Sequence, residues 1–230
     1  MKKLLDQNVK IEVVYEHDDW LLCHKPCGVN FHSEDEMPGF VELMRAQTSI
    51  PLWPVHRLDK ATSGLILLAK SQQACATLSK LFSDKKIEKF YLSICGNTLK
   101  KKQGKVAGDM AKARRGSFKL LKSQENPAIT QFISISLLPG FRLCLLKPKT
   151  GKTHQLRVMM KSLGAAILGD KRYSGPESDR LYLHAYALKF IYDNEEYEFI
   201  ELPKSGQLFM SSEFLLEVGN WTSPWSLTWP

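Results

Sequence analysis

The sequence predicts an α+β fold: a single domain on a mixed, mainly antiparallel β-sheet with flanking helices. Three observations predict it. Short β-branched or aromatic runs recur along the 230 residues and are joined by brief polar turns, which favours antiparallel neighbours. Only two segments place apolar residues at helical spacing. No repeat of about 20–50 residues, the mark of stacked architectures, is visible.

Residues 11–16 and 20–23 flank the polar turn His17-Asp18-Asp19 and read as a β-hairpin. Residues 65–69, Leu-Ile-Leu-Leu-Ala, are apolar throughout and read as a buried strand. Ser71 then caps a helix with Ala74, Leu78, Leu81 and Phe82 on one face. Strands follow at 90–95, 130–138, 141–146, 181–190 and 197–202, the last two turning across Asp193-Asn194. A second helix runs from about Thr153 to Leu163, with Leu156, Met159, Met160 and Leu163 apolar and Gly164 placed to stop it. Residues near 97–117 read as a basic loop. Residues 1–203 read as one domain, and 204–230, where Pro224 and Pro230 interrupt Trp221, Trp225 and Trp229, read as a C-terminal tail.

With 43% hydrophobic residues the chain can bury a sizeable core. No run of 18 or more apolar residues occurs, so no membrane association is expected. The start Met1-Lys2-Lys3-Leu4-Leu5-Asp6 lacks the apolar centre of a signal peptide, and a cytoplasmic location is the expectation. Five cysteines, an odd number mostly in apolar context, point to reduced core thiols without disulfides. Cys23-His24-Lys25-Pro26-Cys27 resembles half a metal site, but no second ligand pair of matching spacing follows, so no metal is expected.

Net charge is +8 and unevenly spread. Residues 80–122 hold thirteen Lys or Arg against Asp84, Glu88 and Asp109, a net +10 that leaves −2 for everything else. Such a density raises the local concentration of a polyanion and supplies phosphate contacts without reading sequence. Lys100, Lys101, Lys102, Arg114 and Arg115 are therefore candidate RNA contacts.

The densest chemistry lies in His56-Arg57-Leu58-Asp59-Lys60-Ala61-Thr62-Ser63-Gly64, which runs directly into the apolar strand at 65–69. A carboxylate there sits at the mouth of a core, where it can be oriented and partly desolvated. Alone, Asp59 reads first as a turn residue paired with Arg57 or Lys60.

Further ordered matches change that reading: Lys25-Pro26-Cys27-Gly28-Val29, Lys89-Phe90-Tyr91, Ala128-Ile129-Thr130, Gly151-Lys152-Thr153-His154-Gln155-Leu156-Arg157, Leu168-Gly169-Asp170-Lys171-Arg172-Tyr173-Ser174-Gly175 and Leu181-Tyr182-Leu183-His184-Ala185. With the Asp59 motif, this set resembles the RluA-type family of RNA pseudouridine synthases over roughly residues 10–203. Val158-Met159-Met160-Lys161 departs from it, since relatives often carry a His and smaller residues there.

The resemblance implies the pseudouridine synthase catalytic fold and an isomerase, formally an intramolecular transferase, needing no cofactor. It implies that Asp59 is the catalytic residue, that Tyr91 stacks on the uracil and can serve as base, and that Arg157 pairs with the catalytic carboxylate. Arg57 would fill the place of the flipped base, and Leu183 would form an apolar wall. His154 and His184 read as structural hydrogen-bonding residues. The expected partner is ribosomal RNA or tRNA, with no obligate protein partner and a monomeric enzyme. Two rival readings are a non-catalytic RNA-binding or ribosome-assembly protein, and a glycosidase that would release uracil.

Overall fold

A computed structural model describes residues 10–34 and 37–230. The N-terminal segment Met1 to Asp6, read above for its lack of a signal sequence, lies outside the described residues. The chain forms two compact units, one of the described residues up to Phe82 and the other Ser83–Pro230.

The first unit contains β1 (Glu12–Glu16), β2 (Trp20–Lys25), α1 (Phe40–Thr48), β3 (Trp53–Pro54), β4 (Ser63–Ala69) and α2 (Gln72–Ser83). The expected hairpin forms, with β1 and β2 antiparallel and the His17 amide donating to the Trp20 carbonyl at 2.9 Å to close the turn. β2 pairs in turn with β4, from Trp20 opposite Ala69 to Lys25 opposite Gly64. Every residue of β2 and β4 is buried, so neither alternates between a buried and an exposed face, and β2 ends on two buried polar residues, His24 and Lys25. The Ser71 hydroxyl accepts from the Ala74 amide at 3.0 Å, capping α2 as expected. Helix α1 was not expected. Its N-cap is Gly39, without a side-chain cap bond, so the usual start signal is missing. Gln47 on α1 exchanges two 2.7 Å hydrogen bonds with the backbone of Ile11 and ties the helix to the start of the hairpin.

The second unit contains β5 (Glu88–Gly96), β6 (Gln103–Gly108), β7 (Met110–Lys112), β8 (Phe118–Leu120), β9 (Ala128–Leu138), β10 (Phe141–Pro148), α3 (Gln155–Ser162), β11 (Leu183–Tyr192), β12 (Glu195–Ile200) and α4 (Ser212–Val218). Its main sheet runs β11-β5-β10-β9-β6, with β12 also paired to β11 and β7–β8 forming a separate two-stranded sheet. Each of these pairings is antiparallel. Asp193 and Asn194 both take positive φ, 50° and 65°, which the two-residue turn between β11 and β12 requires.

The segment read as a basic loop, 97–117, instead holds β6, β7 and the turn that leads into β8. Lysines and glycines break the apolar alternation there, so pairing rests on the backbone. Gly104 on β6 also makes room for the buried Phe132 ring, because a Cβ would lie 3.1 Å from it.

Residues 204–230 pack onto this second unit. Phe209 is fully buried, 4.8 Å from the Tyr182 ring and 5.1 Å from that of Phe214 on α4. The Tyr186 hydroxyl donates to the Trp221 carbonyl at 3.1 Å, and burial pushes that phenol up to about 12. Trp225 and Trp229 lie 6.3 and 5.7 Å from Phe90 on β5. Lys147 sits over both Phe90 and Trp229, and its ammonium is paired with Glu88. Phe209→Ala should therefore cost about 3–5 kcal/mol and lower the thermal midpoint by on the order of 10 °C, read by calorimetry. A midpoint within about a degree of wild type would mean the segment contributes little to the fold.

Candidate active site

Arg57 and Asp59 belong to the first unit. Residues 59–62 form a tight turn in which the Thr62 amide donates to the Asp59 carbonyl at 3.0 Å. The turn is fixed from below by Lys25, which has no exposed surface. Its ammonium donates to the carbonyls of Pro26, Lys60 and Thr62 at 3.1, 3.1 and 2.8 Å. Three donors meet three acceptors, which is how a buried ammonium avoids an unsatisfied charge. The Gly28 amide also donates to the Lys60 carbonyl at 2.9 Å, and the Cys27 thiol to the Ala61 carbonyl at 3.1 Å. Gly28 has φ +87°, a left-handed conformation that suits glycine at this approach. Asp59 is left half-buried and Arg57 exposed. His56 accepts the Leu67 amide through Nε2 at 3.0 Å and stacks on Phe82 at 4.3 Å, so it holds the turn against β4. Burial pushes the Cys23 thiol up to about 12, leaving it protonated.

Tyr91 and Leu183 belong to the second unit, on the adjacent strands β5 and β11. Tyr91 lies opposite Ala185 and Ser93 opposite Leu183, so alternation puts Tyr91 and Leu183 on one face of the sheet. Phe90, beneath Trp225 and Trp229, faces the other way. Lys89 shares Tyr91's face, and burial, reinforced by Lys149, pulls its ammonium below the ordinary lysine value. His184 is buried, with Nε2 at 2.8 Å from the Glu201 carbonyl, a structural bond of the kind expected for it.

Arg157 projects from α3. The start of that helix is held by Gln155, whose amide nitrogen donates to the Ile129 carbonyl and the Thr130 hydroxyl, both at 3.0 Å. Its amide oxygen accepts from the Thr150 hydroxyl at 2.8 Å and the Lys152 amide at 3.0 Å. Arg157 Nε and Nη2 each donate to a different carboxylate oxygen of Asp170 at 2.8 Å, a fork-on-fork pair with both groups buried. The Asp59 carboxylate was the partner assigned to Arg157 from sequence; the bond described within this unit is to Asp170. Asp170 and Lys25 both lie inside the matched motifs, yet neither carried a role in the sequence reading. An isolated Lys or Asp gives no sign of burial in a sequence, so no local signal marked them.

The basic residues fall into two clusters. Lys100, Lys101 and Lys102 precede β6, where the Ser134 hydroxyl reaches the carbonyls of Lys101 and Lys102 at 3.3 and 3.1 Å. Arg114 and Arg115 lie at the exposed tip between β7 and β8, beyond the other end of β6. The six-residue strand β6, roughly 20 Å long, lies between the two clusters in the chain.

Residues 19–162 match the family described as RNA pseudouridylate synthase. A Haemophilus influenzae protein described as an uncharacterised RNA pseudouridine synthase is 49% identical over 88% of this chain and 92% of its own. Ribosomal large subunit pseudouridine synthase D of Borreliella burgdorferi is 31% identical, over 91% of this chain and 70% of its own. Among solved structures, human RNA pseudouridylate synthase domain containing 1 superposes with a TM-score of 0.72 at 24% identity, covering 84% of this chain and 83% of that one, which establishes the shared fold. These matches fall on the catalytic region and favour the enzyme over the binding-only alternative: the chain belongs to the RNA pseudouridylate synthase family, isomerases acting on RNA.

Proposed function

We propose that this protein converts specific uridines of ribosomal RNA or tRNA into pseudouridine, with Asp59 as its catalytic carboxylate. The bond from the ribose C1′ to uracil N1 breaks and one from C1′ to C5 forms. The C5 hydrogen is lost as a proton and N1 gains one, so composition is unchanged. The observation that carries the reading is the anchoring of Asp59: a half-buried carboxylate on a turn held by the three hydrogen bonds of Lys25, in a chain of this family.

The uridine must leave its stack to expose C1′. The Tyr91 ring then stacks on the base, with Leu183 as an apolar wall on the same sheet face, and Arg57, exposed beside Asp59, occupies the vacated position. Arg157 supplies positive charge that favours an ionised carboxylate. Lys100, Lys101, Lys102, Arg114 and Arg115 hold the phosphate backbone. Residues 1–203 carry the catalysis, and the protein acts as a cytoplasmic monomer without an obligate protein partner.

Mapping pseudouridines in total RNA from cells with and without the protein tests the reading and identifies the target: sites that persist unchanged in its absence would overturn it. Mass-neutral conversion of the substrate separates isomerisation from a glycosidase, which would release uracil. Asp59→Asn should lower single-turnover conversion by on the order of 10⁴-fold while RNA affinity and thermal midpoint hold. Near-normal turnover would remove Asp59 from its role. Tyr91→Phe keeps the ring and loses the hydroxyl; collapse of chemistry with normal RNA binding assigns Tyr91 as the base, and near-normal chemistry limits it to stacking. Lys25→Met takes an ammonium donor from three carbonyls, of which that of Lys60 keeps the Gly28 amide, so unfolding should become easier by about 2–3 kcal/mol and the rate at saturating RNA should fall. A destabilised variant with an unchanged rate would show that the turn keeps its shape without Lys25.

A further inference from the structure

The β7–β8 hairpin is poorly equipped to hold its own shape. Its two strands have three residues each and pair only with one another. A lone two-stranded hairpin is marginal in water. Lys112, Arg114, Arg115 and Lys119, all exposed, add like-charge repulsion. The tip nevertheless has fixed external partners in residues 154–173 of the same unit.

The Tyr173 hydroxyl accepts the Phe118 amide at 3.1 Å and lies 2.9 Å from His154 Nδ1. Accepting from Phe118 leaves its own hydrogen for the imidazole. The His154 ring meets the Phe118 ring edge-on at 5.8 Å. Next to Tyr173, Arg172 Nη1 donates to the Arg115 carbonyl at 2.7 Å. Gly116 leaves space for that guanidinium, since a Cβ would stand 2.9 Å from Nη1, and its φ of +68° favours glycine independently. On its other side the same segment is bound to α3. Asp170 accepts Arg157 at two 2.8 Å contacts and the Tyr173 amide at 3.3 Å, and the Arg157 guanidinium sits 5.2 Å over the Tyr173 ring.

We propose that residues 170–173 act as a strut that locks the basic β7–β8 hairpin to Arg157, with Tyr173 and Arg172 as positioning residues that hold Arg114 and Arg115 ready for an RNA backbone. The proposal rests on the reading of RNA as substrate and adds a role for residues outside the chemistry. A hairpin fixed beforehand loses little freedom when it takes up phosphate, so its cations bind more tightly than the same cations on a loose ribbon.

The test uses full-length Tyr173→Phe, which keeps the ring beside Arg157, and Arg172→Met. In the free protein, amide hydrogen exchange at residues 110–120 should be roughly fivefold faster or more in either variant, with the global unfolding midpoint nearly unchanged. With a short stem-loop RNA, the slope of log affinity against log salt should fall by about one to two. Adding Arg114→Ala and Arg115→Ala to either variant should bring little further loss, because the strut and the arginines act through one element. Unchanged exchange would overturn the strut. Faster exchange with an unchanged salt slope, or fully additive losses, would overturn its link to RNA. The exchange measurement needs no RNA and neither arm needs turnover, so failure of the proposed activity would show separately, as wild-type protein that makes no pseudouridine.

Discussion

The second unit depends on the buried pair between Arg157 and Asp170. Removing both charges from water is costly, and only near-ideal geometry with every lone pair engaged offsets it. Here both carboxylate oxygens are used, Asp170 also accepts the Tyr173 amide, and the guanidinium rests on an aromatic face. An ammonium could not replace this fork, because it offers a point charge where two parallel donors are required. Loss of either side chain would break the buried fork, a change of about 3–5 kcal/mol. The pair joins α3 to a loop thirteen residues further along, and the arrangement of both follows from it.

The first unit applies the same principle with the other cation. Lys25 ends a fully buried strand, and its ammonium meets three backbone carbonyls around the Asp59 turn. Compact charge suits this role, since three donors can point in three directions at once. The carbonyls of a tight turn have few partners of their own, and an unpaired buried carbonyl would favour opening the turn. In both units a buried cation is therefore spent on fixing polar structure.

How much of this was legible from sequence depended on whether the information was local. Continuous apolar runs such as residues 65–69, the Ser71 cap, and the Asp193-Asn194 turn each declare themselves within a few residues, and β4, α2 and the β11–β12 hairpin formed where expected. Helix α1 lacked a side-chain cap, and β6 to β8 carry lysine and glycine where strands usually alternate, so propensity gave no sign of either. The candidate site rests on the matched motifs, which put Asp59, Tyr91 and Arg157 in order along the sequence. Its support was not legible there. Lys25 is spent on carbonyls up to thirty-seven positions away and Arg157 on a carboxylate thirteen away, pairings that exist only after the chain has folded.

The basic segment shows why charge alone overstates what a sequence reveals. A net +10 over residues 80–122 predicted attraction for a polyanion without saying where. β6 is the terminal strand of its sheet, and Lys105 is exposed on it, so some of that charge also discourages another chain from pairing with the edge. The arginines at the hairpin tip have no edge of the main sheet to guard. They sit on a ribbon too short to stand unaided, held by hydrogen bonds to its backbone at Phe118 and Arg115 that leave the charged groups of Arg114 and Arg115 pointing outward into solvent. Anchoring a turn through its backbone while exposing its cations gives the fold little by itself, and it is what a phosphate-gripping element requires.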